Sequence, residues 1–142
     1  MPAHEPNHER MHHMSLKNSL QIMVVDDMSV SRGLIENALD EIGLRHVDFK
    51  TDGASALRSL VGSPVHLVIS DYNMPGMDGL SLLEALRRNK STQRIGFILI
   101  TGRADREVLT RGQQLGMNNF LTKPFSTQGL KTCIEQVVGV LH

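Results

Sequence analysis

The sequence predicts an α/β fold in which a five-stranded parallel sheet is covered by helices on both faces. Two observations support this class: short apolar runs alternate with amphipathic segments from about residue 20 onwards, and no repeat or linker interrupts them. Such alternation is typical of parallel strands joined by helical crossovers. Right-handed crossovers leave few strand orders, and we adopt 2-1-3-4-5, a common order of doubly wound sheets, with five flanking helices in a three-layer sandwich.

Five apolar runs are the predicted strands, at residues 21–25, 46–50, 65–70, 96–100 and 119–122. Ser29 is the predicted N-cap of the helix after the first run, and Leu34 and Ile35 lie on its predicted apolar face before Gly43 ends it. The remaining helices are expected to begin near residues 53, 78, 105 and 127. Asp78 is the predicted N-cap of the third helix.

Composition describes an ordinary globular chain of 142 residues, with 15 basic and 15 acidic side chains and no formal net charge. This balance gives no reason to expect nucleic acid or an anionic membrane as a partner. No apolar stretch reaches the ~18–20 residues of a membrane-spanning helix. Cys133 is the single cysteine, which excludes an internal disulfide and favours a reducing compartment such as the cytoplasm. We expect this thiol in or beside the core on the last helix, without special reactivity.

Residues 1–18 differ from the rest of the chain, because they hold four histidines and two prolines but almost no apolar pattern. We interpret this stretch as a disordered extension or a tag, and we assign the folded domain to residues 19–142. Metal capture by the histidines is a second interpretation of the same stretch.

Polar residues stand just past four of the apolar runs: Asp26 and Asp27, Asp71, Thr101 and Lys123. The carboxyl ends of parallel strands share one edge of the sheet, so we expect these side chains to meet there. Three neighbouring carboxylates repel one another unless a cation neutralises them, and Mg²⁺ prefers such oxygen ligands. A hydroxyl and an ammonium group suit phosphoryl oxygens. The edge therefore predicts a site for Mg²⁺ and a phosphoryl group.

Each of these residues has a simpler interpretation when it is taken alone. An acidic pair can cap a helix, Asp71 can be a turn residue, and Lys123 can be an ordinary surface lysine. Their combination at one edge is more specific, because a carboxylate can attack phosphorus and form an acyl phosphate. Lys123 precedes Pro124, and a cis peptide bond is our hypothesis for that position.

Four stretches of the chain, at residues 24–27, 68–79, 100–102 and 123–125, carry a family resemblance. They resemble the motifs of response-regulator receiver domains, and most closely those of the single-domain, CheY-like chemotaxis regulators. The resemblance covers residues 20–141 and implies the flavodoxin-like, or CheY-like, three-layer sandwich.

The resemblance implies a role for each residue at the acidic edge. Asp71 would be the phosphoacceptor, and Asp27 and Asp71 would be direct Mg²⁺ ligands. Asn73 would contribute its backbone carbonyl to the ion, and Asp26 would reach it through water. Lys123 would contact the phosphoryl group.

The resemblance also implies a switch and two positions that tune its lifetime. Thr101 would contact the phosphoryl group and move inward with it, and the aromatic side chain of Phe120 would follow. Asn73 and Arg103 would flank the phosphoryl group and set how long it persists. Arg103 has an ordinary surface arginine as its alternative interpretation.

The function that follows from the resemblance is a response regulator of a two-component system. A CheA-like histidine kinase would phosphorylate Asp71, and the face made by helix four, strand five and helix five would then bind a partner. A flagellar motor switch protein or a phosphatase is the expected partner, with no nucleic acid and no membrane. The alternative is a phosphorelay intermediate or phosphate sink that exchanges phosphoryl groups with a kinase or phosphotransfer protein.

Two enzyme-like alternatives fit the sequence less well. A phosphohydrolase of the haloacid dehalogenase type needs a second aspartate two residues after its nucleophile, where this chain has Asn73. A flavodoxin-like FMN site needs a phosphate loop after the first strand, where Asp26 and Asp27 would repel phosphate. We therefore predict a phosphoacceptor that assists only its own phosphorylation and dephosphorylation, and not an enzyme.

Overall fold

The computed structural model describes residues 16–102 and 105–142 of the chain. Within these residues, five strands alternate with five helices after a short helical segment at 16–19. The elements are β1 (Gln21–Val25), α1 (Ser29–Ile42), β2 (His46–Lys50), α2 (Gly53–Gly62), β3 (Leu67–Asp71), α3 (Gly79–Arg88), β4 (Gly96–Thr101), α4 (Arg106–Gln114), β5 (Asn119–Thr122) and α5 (Thr127–Val138).

The five strands form one parallel sheet in the order β2-β1-β3-β4-β5, which confirms the predicted order. β2 lies on one side of β1 and the later strands lie on the other, so the strand order reverses between β1 and β3. Val25 pairs with Ser70, and Asp71 pairs with Ile100. This register brings the carboxyl ends of β1, β3 and β4 to one level at the crevice where such sheets bind ligands.

Alternate residues of the strands point to opposite faces of the sheet, so each face carries its own apolar cluster. One cluster joins α1 and α5 to the sheet, and its strand residues are Ile22, Val24, Leu67, Ile69, Ile98 and Ile100. The other joins α2, α3 and α4, and its strand residues are Met23, Val25, Val68, Phe97 and Leu99. The predicted three-layer sandwich is therefore confirmed.

Four of the helices begin with a polar side chain that accepts a hydrogen bond from a backbone N–H of the first turn. This contact satisfies one of the donors that a helix start leaves unpaired. The pairs are Asp52 with Ser55, Asp78 with Ser81, Asp105 with Glu107 and Ser126 with Gly129. The predicted cap at Asp78 is confirmed.

The start of α1 differs from its prediction. Ser29 is the first residue of the helix and not its cap, because the cap position belongs to Met28, which makes no side-chain capping bond. The loop is held instead by Asp26, whose Oδ1 accepts a hydrogen bond from Met28 N at 2.9 Å. Leu34 was predicted on the buried face but is 60% exposed, because the face that contacts the sheet begins at Ile35.

The predicted strand at 65–70 is displaced, since β3 starts at Leu67 and includes Asp71. Thr101 is likewise the last residue of β4. The Lys123–Pro124 peptide bond is cis, as proposed from the sequence. In residues 16–102 and 105–142, no helix is long and apolar enough to cross a membrane.

The predicted extension over residues 1–18 lies largely outside the described residues. Its last residues belong to the helical segment at 16–19, where Leu20 N donates to Leu16 O at 3.0 Å. The proposed boundary at residue 19 stays a prediction.

Candidate functional site

Three carboxylates meet at the carboxyl edge of the sheet. Asp26 and Asp27 follow β1, and Asp71 ends β3. One oxygen from each lies within 4.8 Å of the others. Asp26 and Asp71 are buried, and Asp27 is partly buried. The predicted convergence of these three residues is therefore present in the fold.

Backbone contacts hold Asp26 in place. Its N–H donates to Lys50 O at 3.0 Å, which extends the pairing of β1 with β2. Its carbonyl oxygen accepts a hydrogen bond from Arg32 Nη1 at 2.9 Å. Its Oδ1 accepts the hydrogen bond from Met28 N, and its Oδ2 has no hydrogen-bond partner. The carboxylate therefore has a fixed position and one free oxygen.

The surroundings of Asp71 disfavour its ionised form. Its Oδ1 accepts a hydrogen bond from Tyr72 N at 3.0 Å and lies 3.3 Å from the ammonium nitrogen of Lys123. Burial raises the pKa of the Asp71 carboxyl and Asp26 adds to the rise, whereas Lys123 opposes it. An ionised Asp71 is consequently a desolvated carboxylate beside the Lys123 ammonium, and desolvation makes a carboxylate a stronger nucleophile than a hydrated one.

Lys123 reaches the acidic cluster from the loop after β5. Its backbone N–H donates to Thr101 O at 2.9 Å, which fixes the start of that loop against β4. Its ammonium donates to Ser31 Oγ at 3.0 Å and faces Asp71 at 3.3 Å. Sequence reasoning missed Ser31, because its contact joins residues 92 positions apart and no local pattern marks it.

The acidic cluster fits a divalent cation. Among the described residues, Asp26 Oδ2 and Asp27 Oδ1 are the buried side-chain oxygens that have no hydrogen-bond partner. Unpaired buried oxygens are costly. Within residues 16–102 and 105–142, the three carboxylates have the Lys123 ammonium as their recorded ion-pair partner, so their negative charges exceed the positive charge that these residues supply. Hard cations bind oxygen ligands of this kind. The three carboxylates are therefore ligands of the kind that such a cation binds, and the role of each residue towards the ion stays a prediction.

Three of the remaining predicted residues, Thr101, Phe120 and Asn73, belong to the described part of the chain. Thr101 is buried at the end of β4, and Phe120 is partly buried on β5 against the α2, α3 and α4 cluster. Asn73 is exposed in the loop after β3, and the role of its carbonyl stays a prediction. Arg103 lies outside the described residues, so its lifetime role also stays a prediction.

The loop after β3 closes tightly on the strand, a feature that the sequence did not reveal. Gly79 N donates to Tyr72 O at 2.9 Å. A Cβ atom on Gly79 would lie 2.5 Å from the carbonyl oxygen of Asp71. The glycine therefore lets the first turn of α3 pack directly on the backbone that carries the central carboxylate.

Comparison with known proteins agrees with this fold. The family described as the response regulator receiver domain matches residues 22–135. A probable chemotaxis protein CheY of Rhizobium etli is 41% identical over 128 residues, which cover 90% of this chain and 99% of that protein. The chemotaxis protein CheY of Pseudomonas aeruginosa is 34% identical over 83% of this chain and 95% of its own.

A solved structure shows the same likeness. The receiver domain of a sensor histidine kinase from Pseudomonas aeruginosa, with a magnesium ion coordinated in its active-site cleft, has a TM-score of 0.77 at 29% identity. The match covers 85% of this chain and 98% of that domain. The chain therefore belongs to the response regulator receiver domain family. Within two-component signalling it is similar to the CheY proteins of chemotaxis.

Proposed function

We propose that Asp71 accepts a phosphoryl group from a histidine kinase and that the chain works as a phosphorylation switch. The supporting observation is the ammonium of Lys123 at 3.3 Å from the buried Asp71 carboxylate, beside two acids with unpaired oxygens. In the proposed step an Asp71 oxygen uses a lone pair to form a bond to phosphorus. The phosphorus–nitrogen bond of the donor phosphohistidine breaks, and its electron pair leaves with the imidazole.

Mg²⁺ is the ion that we propose for the acidic cluster. Asp27 and Asp71 would hold it directly, Asn73 would add its backbone carbonyl, and Asp26 would act through water. The ligand set consists of oxygens alone, which suits Mg²⁺ better than a softer metal. The magnesium ion in the related receiver domain supports the same choice. When bound, the ion would neutralise charge on the phosphoryl oxygens.

Lys123 and Thr101 are proposed to contact the transferred group. The Lys123 ammonium is already directed at Asp71, where a fixed positive charge stabilises the charge that develops during transfer. Thr101 is buried at the end of β4, and its carbonyl accepts the backbone hydrogen bond of Lys123. The pocket would assist the phosphorylation and dephosphorylation of Asp71 and would have no outside substrate.

Phe120 is proposed to carry the signal from the pocket to the surface. It lies on the edge strand β5, between α4 and α5 in the sequence, and it is only partly buried. Movement of Thr101 towards the phosphoryl group would open space that the ring can enter. The face made by α4, β5 and α5 would then bind a motor switch protein or a phosphatase in the cytoplasm. The names of the related proteins support a role in chemotaxis.

An apolar groove beside Lys123 supports a protein as the phosphoryl donor. The groove runs along α1 as far as Glu41, and residues 123–125 and Thr127 line its other side. Three of its side chains are well exposed, Met28 at 58%, Val30 at 74% and Leu34 at 60%. Single exposed apolar residues are ordinary, but several together next to a reactive carboxylate suit a protein contact. We propose that the CheA-like histidine kinase docks there.

Transfer from a phosphorylated chemotaxis histidine kinase, followed by target binding, tests this function. We expect the phosphoryl group to move to the unaltered chain and not to Asp71→Asn, which keeps the size of the side chain. We also expect the phosphorylated chain to bind a flagellar motor switch protein more tightly than the unphosphorylated chain. Transfer without any change of affinity would identify the chain as a relay intermediate or phosphate sink.

A further inference from the structure

We propose that Ser31 is a positioning residue that holds the ammonium of Lys123 beside Asp71. The inference rests on the proposed function, because it assumes that Lys123 contacts the transferred phosphoryl group. It concerns a residue outside the strand ends that form the rest of the pocket.

The ammonium of Lys123 lies between two oxygens. It donates to Ser31 Oγ at 3.0 Å and faces Asp71 Oδ1 at 3.3 Å. The shorter of these contacts is therefore the one to the serine. Ser31 is partly buried in the first turn of α1, whose inner face is anchored in the core through Ile35 and Leu39. The hydroxyl thus stands on a rigid element.

Lys123 needs such a support because its side chain is long and 30% exposed. A lysine has a flexible four-carbon stem and three donor hydrogens, so one contact to a carboxylate leaves its position loosely defined. Its backbone is fixed by the hydrogen bond to Thr101 O. The contact to Ser31 fixes the other end of the side chain. Both ends of Lys123 are therefore held, and the charge stays at the place where phosphoryl oxygens would arrive.

Loss of the hydroxyl should slow phosphorylation without unfolding the protein. Ser31→Ala removes one hydrogen bond to an ammonium that is 30% exposed, so we take the range of an ordinary hydrogen bond, which predicts a rate lower by about threefold to tenfold at saturating donor. Alanine is the better helix former, so the helix itself should not suffer. Ser31→Thr keeps a hydroxyl at the same atom position and should restore most of the rate.

The experiment measures the rate of phosphorylation by acetyl phosphate with Mg²⁺, together with the free energy of unfolding. The variants are Ser31→Ala, Ser31→Thr, Lys123→Ala and the double variant. Ser29→Ala is the matched control, because Ser29 is exposed in the same turn of α1. We expect Ser29→Ala to keep the normal rate. In the Lys123→Ala background, Ser31→Ala should have no further effect, since residues that act through one another are not additive.

Several results would overturn the inference. A normal phosphorylation rate of Ser31→Ala would do so. An equal loss of rate when Ser31→Ala is added to Lys123→Ala would do so too, as would a failure of Ser31→Thr to restore the rate. A loss of rate that only follows a loss of stability would also contradict it. The unaltered chain and Asp71→Asn separate this failure from that of the proposed function: equal phosphorylation of those two would refute the phosphoacceptor itself.

Discussion

Replacing Gly79 by alanine should disturb the backbone that carries Asp71. The added Cβ would lie 2.5 Å from the carbonyl oxygen of Asp71, 2.9 Å from Leu99 Cδ1 and 3.1 Å from Tyr72 Cα. The carbonyl oxygen belongs to a central strand and also accepts a hydrogen bond from Ser70 Oγ at 2.9 Å, so it cannot move aside as a flexible side chain would. Overpacking of this kind costs about 1–3 kcal/mol of the free energy of unfolding.

Gly33→Ala provides the matched control. Gly33 also lies inside a helix, but nothing stands within 4 Å of the Cβ that it would gain. Alanine is favoured over glycine in a helix, so this change should stabilise the protein by about 0.5–1 kcal/mol. The same chemical substitution therefore has opposite predicted signs at the two positions, and the two variants should differ by about 1.5–4 kcal/mol.

Urea unfolding measures the two free energies, and acetyl phosphate with Mg²⁺ measures the reactivity of Asp71. Gly79→Ala should be less stable than the unaltered chain and should phosphorylate more slowly, because the strand end that carries the carboxylate has to shift. Gly33→Ala should lose neither property. Gly79→Ala with unchanged stability and unchanged phosphorylation would refute the close packing of α3 on β3.

Three further predictions concern the charge of Asp71, the burial of Cys133 and the exposed side chain of Leu34. In EDTA, Asp71→Asn should be more stable than the unaltered chain at pH 7, because burial raises the pKa of Asp71 above 3.8 and its ionised form therefore destabilises the fold. Urea unfolding should show that this difference in the free energy of unfolding disappears as the pH falls below 3.8, where the carboxyl is protonated in both the folded and the unfolded chain. Burial raises the pKa of the Cys133 thiol to about 11, so a thiol reagent at pH 7 should modify the native protein far more slowly than the unfolded one. Leu34→Ser should slow transfer from a histidine kinase but not from acetyl phosphate, since Leu34 lies on the exposed groove; equal slowing with both donors would count against docking there.

The fold and most of the site could be predicted from local patterns. A buried parallel strand is a nearly continuous apolar run, so its end is visible in the sequence where a polar residue follows. The convergence of Asp26, Asp27, Asp71 and Lys123 then required only a parallel sheet and its strand order. The site therefore depends on topology: the alternation of apolar segments predicts the parallel sheet, whereas the strand order was adopted as a common one for doubly wound sheets.

The features that escaped prediction are those set by tertiary contacts. Ser29 looks like a cap in isolation, but the loop is organised by the carboxylate of Asp26 and its bond to Met28 N. Ser31 has no neighbour in sequence that marks its contact with Lys123. Gly79 has no positive φ angle; a side chain is excluded there because a Cβ atom would collide with the backbone of β3. Such constraints appear only when the elements are packed together.

Mapping of the phosphorylated residue tests the central claim most directly. The protein is incubated with acetyl phosphate and Mg²⁺, and its intact mass and peptide masses are measured beside those of Asp71→Asn and of a sample in EDTA. We predict one added phosphoryl group on the peptide that contains Asp71, none on Asp71→Asn, and little in EDTA. A phosphoryl group on another peptide, or normal uptake by Asp71→Asn, would contradict the assignment of Asp71 as the phosphoacceptor.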